Sequence, residues 1–410
     1  MSVVDLLFLG PVIFAALYSV AAFACAARYG RSRPRRSNCS PPVTILKPLR
    51  GDDGQLYENL ASFCRQDYRS FEIVFGVRDR HDPAIAVVNR LIRDFPDLEL
   101  KLVIDDRTIG TNLKVSNLAN LVRRAKHDIL IVVDSDMRVG PNYIRAVVGP
   151  LEESRVGLVT CLYRGVAPSG VASTLGAMFI NEWFFPAALV GTHVEPLRHA
   201  FGATIACRRQ TLGAIGGFEA LADYLADDYM LGRLVSRLGL RVALVPYLVD
   251  NIITESNVRS LLVHELRWAR TFRTLRPLPY FCSLFTFGIP LSILWLVVSM
   301  GGSLAGIATA AHVSLRCVGR IALSRSLGRH LRWVDTWLVP VRDVLSFLVV
   351  IASFLGRTVR WNDAELRVLP DGRLERARET AKGEPLGRSA APAPFASEWE
   401  ESACPTIGPI

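Results

Sequence analysis

Three groups of residues in the 410-residue chain carry side chains at spacings that suit catalysis. The first is Asp134-Ser135-Asp136, which follows an apolar run at 129–133. Two hard oxygen ligands at this spacing suit Mg²⁺ or Mn²⁺ holding a diphosphate, and the same Asp-Ser-Asp also starts a turn. The second is Asp227-Asp228, directly before a helical pattern at 229–238. Adjacent carboxylates there either cap a helix N-terminus or form a general base whose pKa is raised by its neighbour. The third lies in 261–270, LLVHELRWAR, where His264, Arg267 and Trp268 fall at i, i+3 and i+4 on one helical face. An imidazole, a guanidinium and an indole so placed can clamp a diphosphate and close over a sugar, or can cap a domain surface beside a bilayer. Two single residues join the list. Asp79 can accept from a ribose hydroxyl or a base N–H, while the nearby Asp82-Pro83 reads as a helix cap. Lys114, in the polar stretch GTNLKVSN, can meet a phosphate as a point charge or stay solvated on the surface.

The elements that must position these groups follow from periodicity. Five apolar residues at 129–133, four of them β-branched, are too few for a helix and too apolar for a one-faced strand, so they read as a buried strand of a parallel sheet. Further strands are expected at 43–46, 71–77, 100–104 and 156–161, and helices at 56–65, 85–95 and 118–125. Strand and helix alternating in this way mean βαβ units with right-handed crossovers, hence an α/β domain with a mostly parallel sheet. Ligands of such sheets bind at the carboxyl ends of the strands. The absence of G-x-G-x-x-G after the first strand and of G-x-x-x-x-G-K-[ST] anywhere argues against a dinucleotide fold and a P-loop. The apolar, aromatic segment 173–190, with Glu182 as its one charge, fits a helix in a membrane interface, the wall of an apolar acceptor groove, or a core helix.

Half of the residues are hydrophobic, which is high for a soluble enzyme and indicates a membrane protein with a soluble domain. The net charge of +10 gathers beside apolar segments, where it marks cytoplasmic flanks and anionic lipid, so no nucleic acid partner is expected. The eight scattered cysteines show no C-x-x-C and read as reduced thiols. Residues 6–27 lack charge and are long enough to cross a bilayer; Arg28, Arg31, Arg33, Arg35 and Arg36 follow them, which favours an anchor over a signal peptide and sets the next domain in the cytoplasm. A second uncharged stretch lies between Arg276 and His312, with Pro290, Gly301 and Gly302 able to break it, and reads as a hairpin or as one span plus a re-entrant piece. The last apolar segment, 336–355, contains Arg342 and Asp343, which should face protein or a lipid headgroup, unless the segment begins after them. The Pro-rich tail after Ala381 is expected to be disordered.

Taken together, these motifs resemble the four-part signature of the family 2 and family 21 glycosyltransferases of GT-A fold, especially the ceramide glucosyltransferases and their bacterial relatives in hopanoid biosynthesis. Asp79 matches the first acidic position, Asp134 and Asp136 the DxD region, Asp228 the base, and 264–268 the Q/R-x-x-R-W motif, with His264 in place of Gln or Arg as in the hopanoid-linked subgroup. The resemblance implies a hexosyltransferase that moves glucose or N-acetylglucosamine from a UDP-sugar to a hydroxyl of ceramide or of a hopanoid such as bacteriohopanetetrol. It implies that Asp79 and Lys114 bind the nucleotide, Asp134 and Asp136 hold the divalent ion, Arg267 and Trp268 serve the leaving group and acceptor, and Asp227 supports Asp228. It further implies an N-terminal anchor (1–28), a basic linker (29–42), a cytoplasmic GT-A domain (43–275), a membrane region of two or three helices (276–357) and a basic, then disordered tail (358–410), in a bacterial inner membrane. A processive polysaccharide synthase and a non-catalytic membrane-anchored binding protein are the competing functions.

Overall fold

The computed structural model describes residues 2–34, 40–328, 332–361 and 364–376. Its main sheet contains β1 (Val43–Pro48), β2 (Phe71–Val77), β3 (Glu99–Ile104), β4 (Ile129–Val132), β5 (Met137–Arg138), β6 (Val156–Val166), β7 (Ile205–Arg208) and β8 (Arg241–Ile252), in the order β3-β2-β1-β4-β7-β6-β8-β5. The first half is the expected parallel βαβ array, joined by helices Leu56–Cys64, Ala84–Asp94 and Leu113–Val122. All four residues of β4 are buried, as a strand covered on both faces requires. One layer packs Leu60, Phe63, Val88 and Tyr143 on the sheet, and the other packs Leu118, Leu121, Leu231 and Val235.

Beyond β4 the pattern changes. β7 runs antiparallel between β4 and β6, and β5 runs antiparallel to β8, while β6 and β8 pair in parallel. The helix expected at 118–125 begins earlier, at Leu113, because the Asn112 side chain caps it by accepting from Val115 N. The helix expected at 229–238 likewise spans Asp227–Arg237, which puts both acidic residues inside its first turn.

The segment 173–190 turns out to be a core element. Helices Val171–Phe179 and Phe185–Val194 flank a π-helical turn at Ile180–Phe184. Asn181 fastens that turn to β6 by exchanging hydrogen bonds with both backbone groups of Gly165, at 3.0 and 2.8 Å. Phe185 and Leu189 are buried, and the buried Glu182 carboxylate pairs with Arg320.

Helix Val3–Arg31 is long and apolar enough to cross a membrane. The stretch after Arg276 forms two pieces, Pro277–Thr286 and Gly288–Val298, bent by 63°, which reach that length only together. Met300 and Gly301, at φ 54 and 88, then turn the chain into helix Ser303–Ser326. Arg316 on that helix makes two 2.8 Å hydrogen bonds to Asp343 on helix Leu338–Ser353, so Asp343 and Arg342 face protein. Residues 358–376, expected to start a basic tail, instead form a small antiparallel sheet, Thr358–Trp361, Ala364–Val368 and Leu374–Arg376. Its apolar face covers Leu225, which explains the strands: this hydrophobic contact is far away in sequence. The tail after Ala381, like Arg35 and Arg36, lies outside the described residues. The six described cysteines are free.

Candidate active site

Asp134 leaves the carboxyl end of β4 beside the end of β1, where Lys47 is fully buried. The Lys47 ammonium donates to the Asp134 carbonyl at 2.7 Å and lies 3.9 Å over the Phe63 ring. Burial pushes it down to about 7, against the pull of Asp136 and Asp134. Sequence reasoning missed Lys47; the signal was a lone lysine inside the apolar run VTILKP.

Lys114, in the first turn of helix Leu113–Val122, joins the two acidic groups. Its ammonium lies 2.7 Å from Asp134 Oδ1 and 3.3 Å from Asp227 Oδ2. Burial opposes its charge, yet Asp134 and Asp227 hold it well above the usual lysine range. The loops that precede these partners are bolted together: Asn112 donates from its backbone to Ala222 O and from its side chain to Tyr224 O, each at 2.8 Å, and Thr111 donates to Asp223 at 2.8 and 2.7 Å. The small C-terminal sheet adds Leu374 N donating to Asp223 O at 2.7 Å.

Asp228 Oδ1 accepts from Tyr229 N at 2.7 Å. Its other oxygen faces Gly202, where a Cβ would stand 3.2 Å from Asp228 Oδ2 and 3.1 Å from Asp134 Oδ2. The two acidic groups therefore meet across a gap that a glycine leaves open. Gly202, in the turn before β7, was also missed, because only the insertion of β7 beside β4 brings it there. Burial, then the Asp227 charge, pushes the Asp228 carboxyl up to about 7. Burial raises Asp227 too, with Lys114 opposing and the Asp134 charge adding to the rise.

Asp136 Oδ2 accepts from Asn251 Nδ2 at 2.7 Å, and the Asp136 carbonyl accepts from Ile252 N at 2.9 Å. The β5–β8 pairing makes both contacts. Asp136 Oδ1 is buried and has no hydrogen-bond partner, and burial with the Asp134 charge pushes this carboxyl up to about 6. A buried oxygen left bare in this way is costly unless a cation meets it. Among the described residues no group of three or more His, Cys, Asp or Glu side chains stands at metal-holding positions. Two carboxylates nevertheless fit Mg²⁺ or Mn²⁺, which keep water and take phosphate oxygens as their other ligands.

Helix Val258–Leu275 carries the other three candidates. The Arg267 guanidinium is pushed down by burial while Asp134, Asp136 and Asp227 pull it up, so it lies within the field of the carboxylates. Trp268 stacks on Phe179 with centroids 6.4 Å apart, and the His264 ring lies 4.3 Å from Trp268. His264 Nδ1 meets Glu255 at 2.7 Å, so this histidine holds the preceding loop instead of joining a clamp with Arg267. Asp79 is exposed at the end of β2, where its carboxylate accepts from His81 N at 2.9 Å. Asp82 accepts from Ala84 N and Gly51 N, each at 2.9 Å, which supports the cap reading.

Residues 8–374 match the family model for glycosyl transferase family 21. Ceramide glucosyltransferase 1 of Caenorhabditis elegans is 26% identical over 238 residues, which is 58% of this chain and 51% of that protein. A ceramide glucosyltransferase of Komagataella phaffii is 35% identical over 116 residues, 27% of this chain and 23% of that protein. The chain thus spans about half the length of the first of these relatives, and less of the second. A mannosyltransferase from Pyrobaculum calidifontis, solved in complex with GDP-Man and Mn²⁺, superposes with a TM-score of 0.56 at 17% identity, covering 86% of this chain and 99% of that one. This likeness shows the GT-A fold.

Proposed function

Because the chain belongs to glycosyl transferase family 21, we propose that it is a membrane-bound inverting glycosyltransferase that moves a sugar from a nucleotide sugar to a hydroxyl of a membrane lipid. The observation that carries this reading is the meeting of Asp134 and Asp228 across Gly202, with Lys114 tied to both acidic segments. That arrangement supports a donor half and an acceptor half in one site.

In this reading the donor is a UDP-sugar carrying glucose or N-acetylglucosamine. Asp79 accepts from the uridine, and Lys114 leaves part of its contact with Asp134 to meet the phosphates. Asp134 and Asp136 would hold a divalent cation, which when bound offsets the charge that develops on the departing diphosphate. Arg267 places a guanidinium toward the same oxygens. Asp228 takes the proton from the lipid hydroxyl as that oxygen bonds to the anomeric carbon, while the bond to the diphosphate breaks and its electrons leave with the diphosphate. One in-line displacement turns an α-linked donor into a β-linked glycolipid. Asp227 keeps Asp228 basic, and Trp268 packs beside the lipid entrance.

The names of the relatives favour ceramide as the acceptor. His264 at the first position of the Q/R-x-x-R-W pattern favours a hopanoid polyol as the second reading. Arg28 and Arg31 in the last turn of helix Val3–Arg31, with Arg33 just after it, favour a catalytic domain on the cytoplasmic side of a bacterial inner membrane. Mass spectrometry of lipids from cells with and without the protein tests the whole proposal: a β-hexosylated lipid should appear only with the protein, and its mass identifies sugar and acceptor. UDP release without any glycolipid would overturn it.

Two further results are expected. Transfer should rise with pH through an acid limb set by Asp228, because the carboxylate and not the acid accepts the proton. Asp227→Asn removes the neighbouring negative charge, so the limb should move to lower pH in a kcat/KM profile at saturating Mn²⁺. Gly202→Ala sets a methyl between Asp134 and Asp228 and should lower kcat by about 10- to 100-fold, with thermal stability little changed, since an ångström of misplacement is enough for such a loss.

A further inference from the structure

Helix Leu338–Ser353 falls in the expected membrane region 276–357, yet it grips the helix that carries Arg267 and Trp268. Arg342 is 0% exposed. Its two terminal nitrogens donate to the two oxygens of Glu265 at 2.9 and 2.7 Å, its Nε donates to Ser346 Oγ at 2.9 Å, and Nη1 also reaches Leu175 O at 3.4 Å. Phe179 lies 5.3 Å from the guanidinium and is the same ring that stacks on Trp268. The neighbouring Asp343 is spoken for by Arg316 and by Trp183 Nε1 at 2.8 Å. Glu265 is therefore the carboxylate that forks with Arg342.

A buried ion pair contributes little net stability against a well-packed apolar substitute, because desolvation offsets the attraction. What a planar two-bond fork does fix is orientation. Glu265 precedes Arg267 by two residues, so on helical geometry the two side chains point to nearly opposite sides. Holding Glu265 from behind sets the rotation of helix Val258–Leu275 about its axis, and that rotation aims the Arg267 guanidinium at the carboxylates.

We propose that Arg342 is a positioning residue that, through Glu265, aims Arg267 at the leaving group, so that the C-terminal helix is part of the active-site assembly. This rests on the transferase reading given above. It makes a catalytic site of the soluble domain depend on a residue more than 70 positions further along the chain.

The test is a double-mutant cycle on the full chain in lipid nanodiscs, with UDP-glucose or UDP-N-acetylglucosamine as donor and ceramide or bacteriohopanetetrol as acceptor. Arg342→Met, folded by gel filtration and circular dichroism, should lose about 100-fold in kcat, with donor KM changed only a few-fold. Arg267→Lys should show the same split. Because both act on one guanidinium, the double variant should be no more than about three-fold worse than the poorer single variant. Should Arg342→Met not fold, Glu265→Gln, which keeps the side-chain size and loses the charge, must give the same cycle. Losses that multiply, or a folded Arg342→Met with wild-type kcat, would overturn the positioning role while the transferase reading stands. A wild-type chain that moves no sugar overturns both.

Discussion

Asp228→Asn is expected to lower kcat for sugar transfer by about 10³-fold without loss of fold, within the range that a positioned general base supplies. The substitution keeps the shape of the side chain and an oxygen that can accept from Tyr229 N, so the first turn of helix Asp227–Arg237 survives. It removes only the group that takes the proton. The stability consequence has a definite sign. Burial and Asp227 raise the Asp228 pKa from the ordinary 3.8 to about 7, so its cost to folding grows as pH rises between those values and is complete above about pH 7. A neutral Asn relieves that opposition, and the melting temperature at pH 8 should not fall. Near-normal turnover by a folded Asp228→Asn protein, measured with purified donor and lipid, would mean that the base lies elsewhere.

The second large effect is expected at Asp136. Asp136→Ala should lower kcat by about 100-fold or more, since a Lewis acid at a phosphoryl oxygen contributes several kcal/mol. It should also abolish Mn²⁺ binding measured by calorimetry without substrate, and with it the EDTA sensitivity of the wild type. Asp136 Oδ1 is buried without a partner, next to an oxygen that Asn251 already occupies, which leaves it for a cation. Asp136→Asn separates charge from shape. It retains an acceptor for Asn251, so loss of Mn²⁺ binding in that variant would trace to the missing charge. An unchanged rate and unchanged EDTA sensitivity in Asp136→Ala would move the metal site to other residues.

Much of the donor half was legible in the chain itself. The run at 129–133 had to be a buried strand because nothing polar interrupts it, and strand, helix and strand alternated at lengths that only a βαβ array uses. That array sends Asp79 and Asp134 to the same edge of the sheet. For Arg342 and Asp343 the cost of charge at that depth required a partner, in protein or in a lipid headgroup, and the structure supplies protein: Glu265 for Arg342 and Arg316 for Asp343.

Other features escaped because their cause is not local. β7 has four residues and β5 has two, too few for any period to register, yet β7 carries Gly202 to Asp134 and β5 carries Asp136 to Asn251. The small sheet at 358–376 read as tail because its apolar residues find their counterpart in Leu225, far back in the chain. His264 shares a helical face with Arg267 by spacing, but a 2.7 Å contact with Glu255 draws it to the loop.

Residue types and their periods thus determined the fold class, the parallel half of the sheet and the candidate residues, because propensity and burial act over a few neighbouring positions. Which of those residues meet was decided by strand order: Lys114 between Asp134 and Asp227, the glycine gap at Gly202, and the grip of Arg342 on Glu265. Each is a contact between segments distant along the chain, set by how the whole sheet and its helices close around one core, and no local repeat encodes that closure.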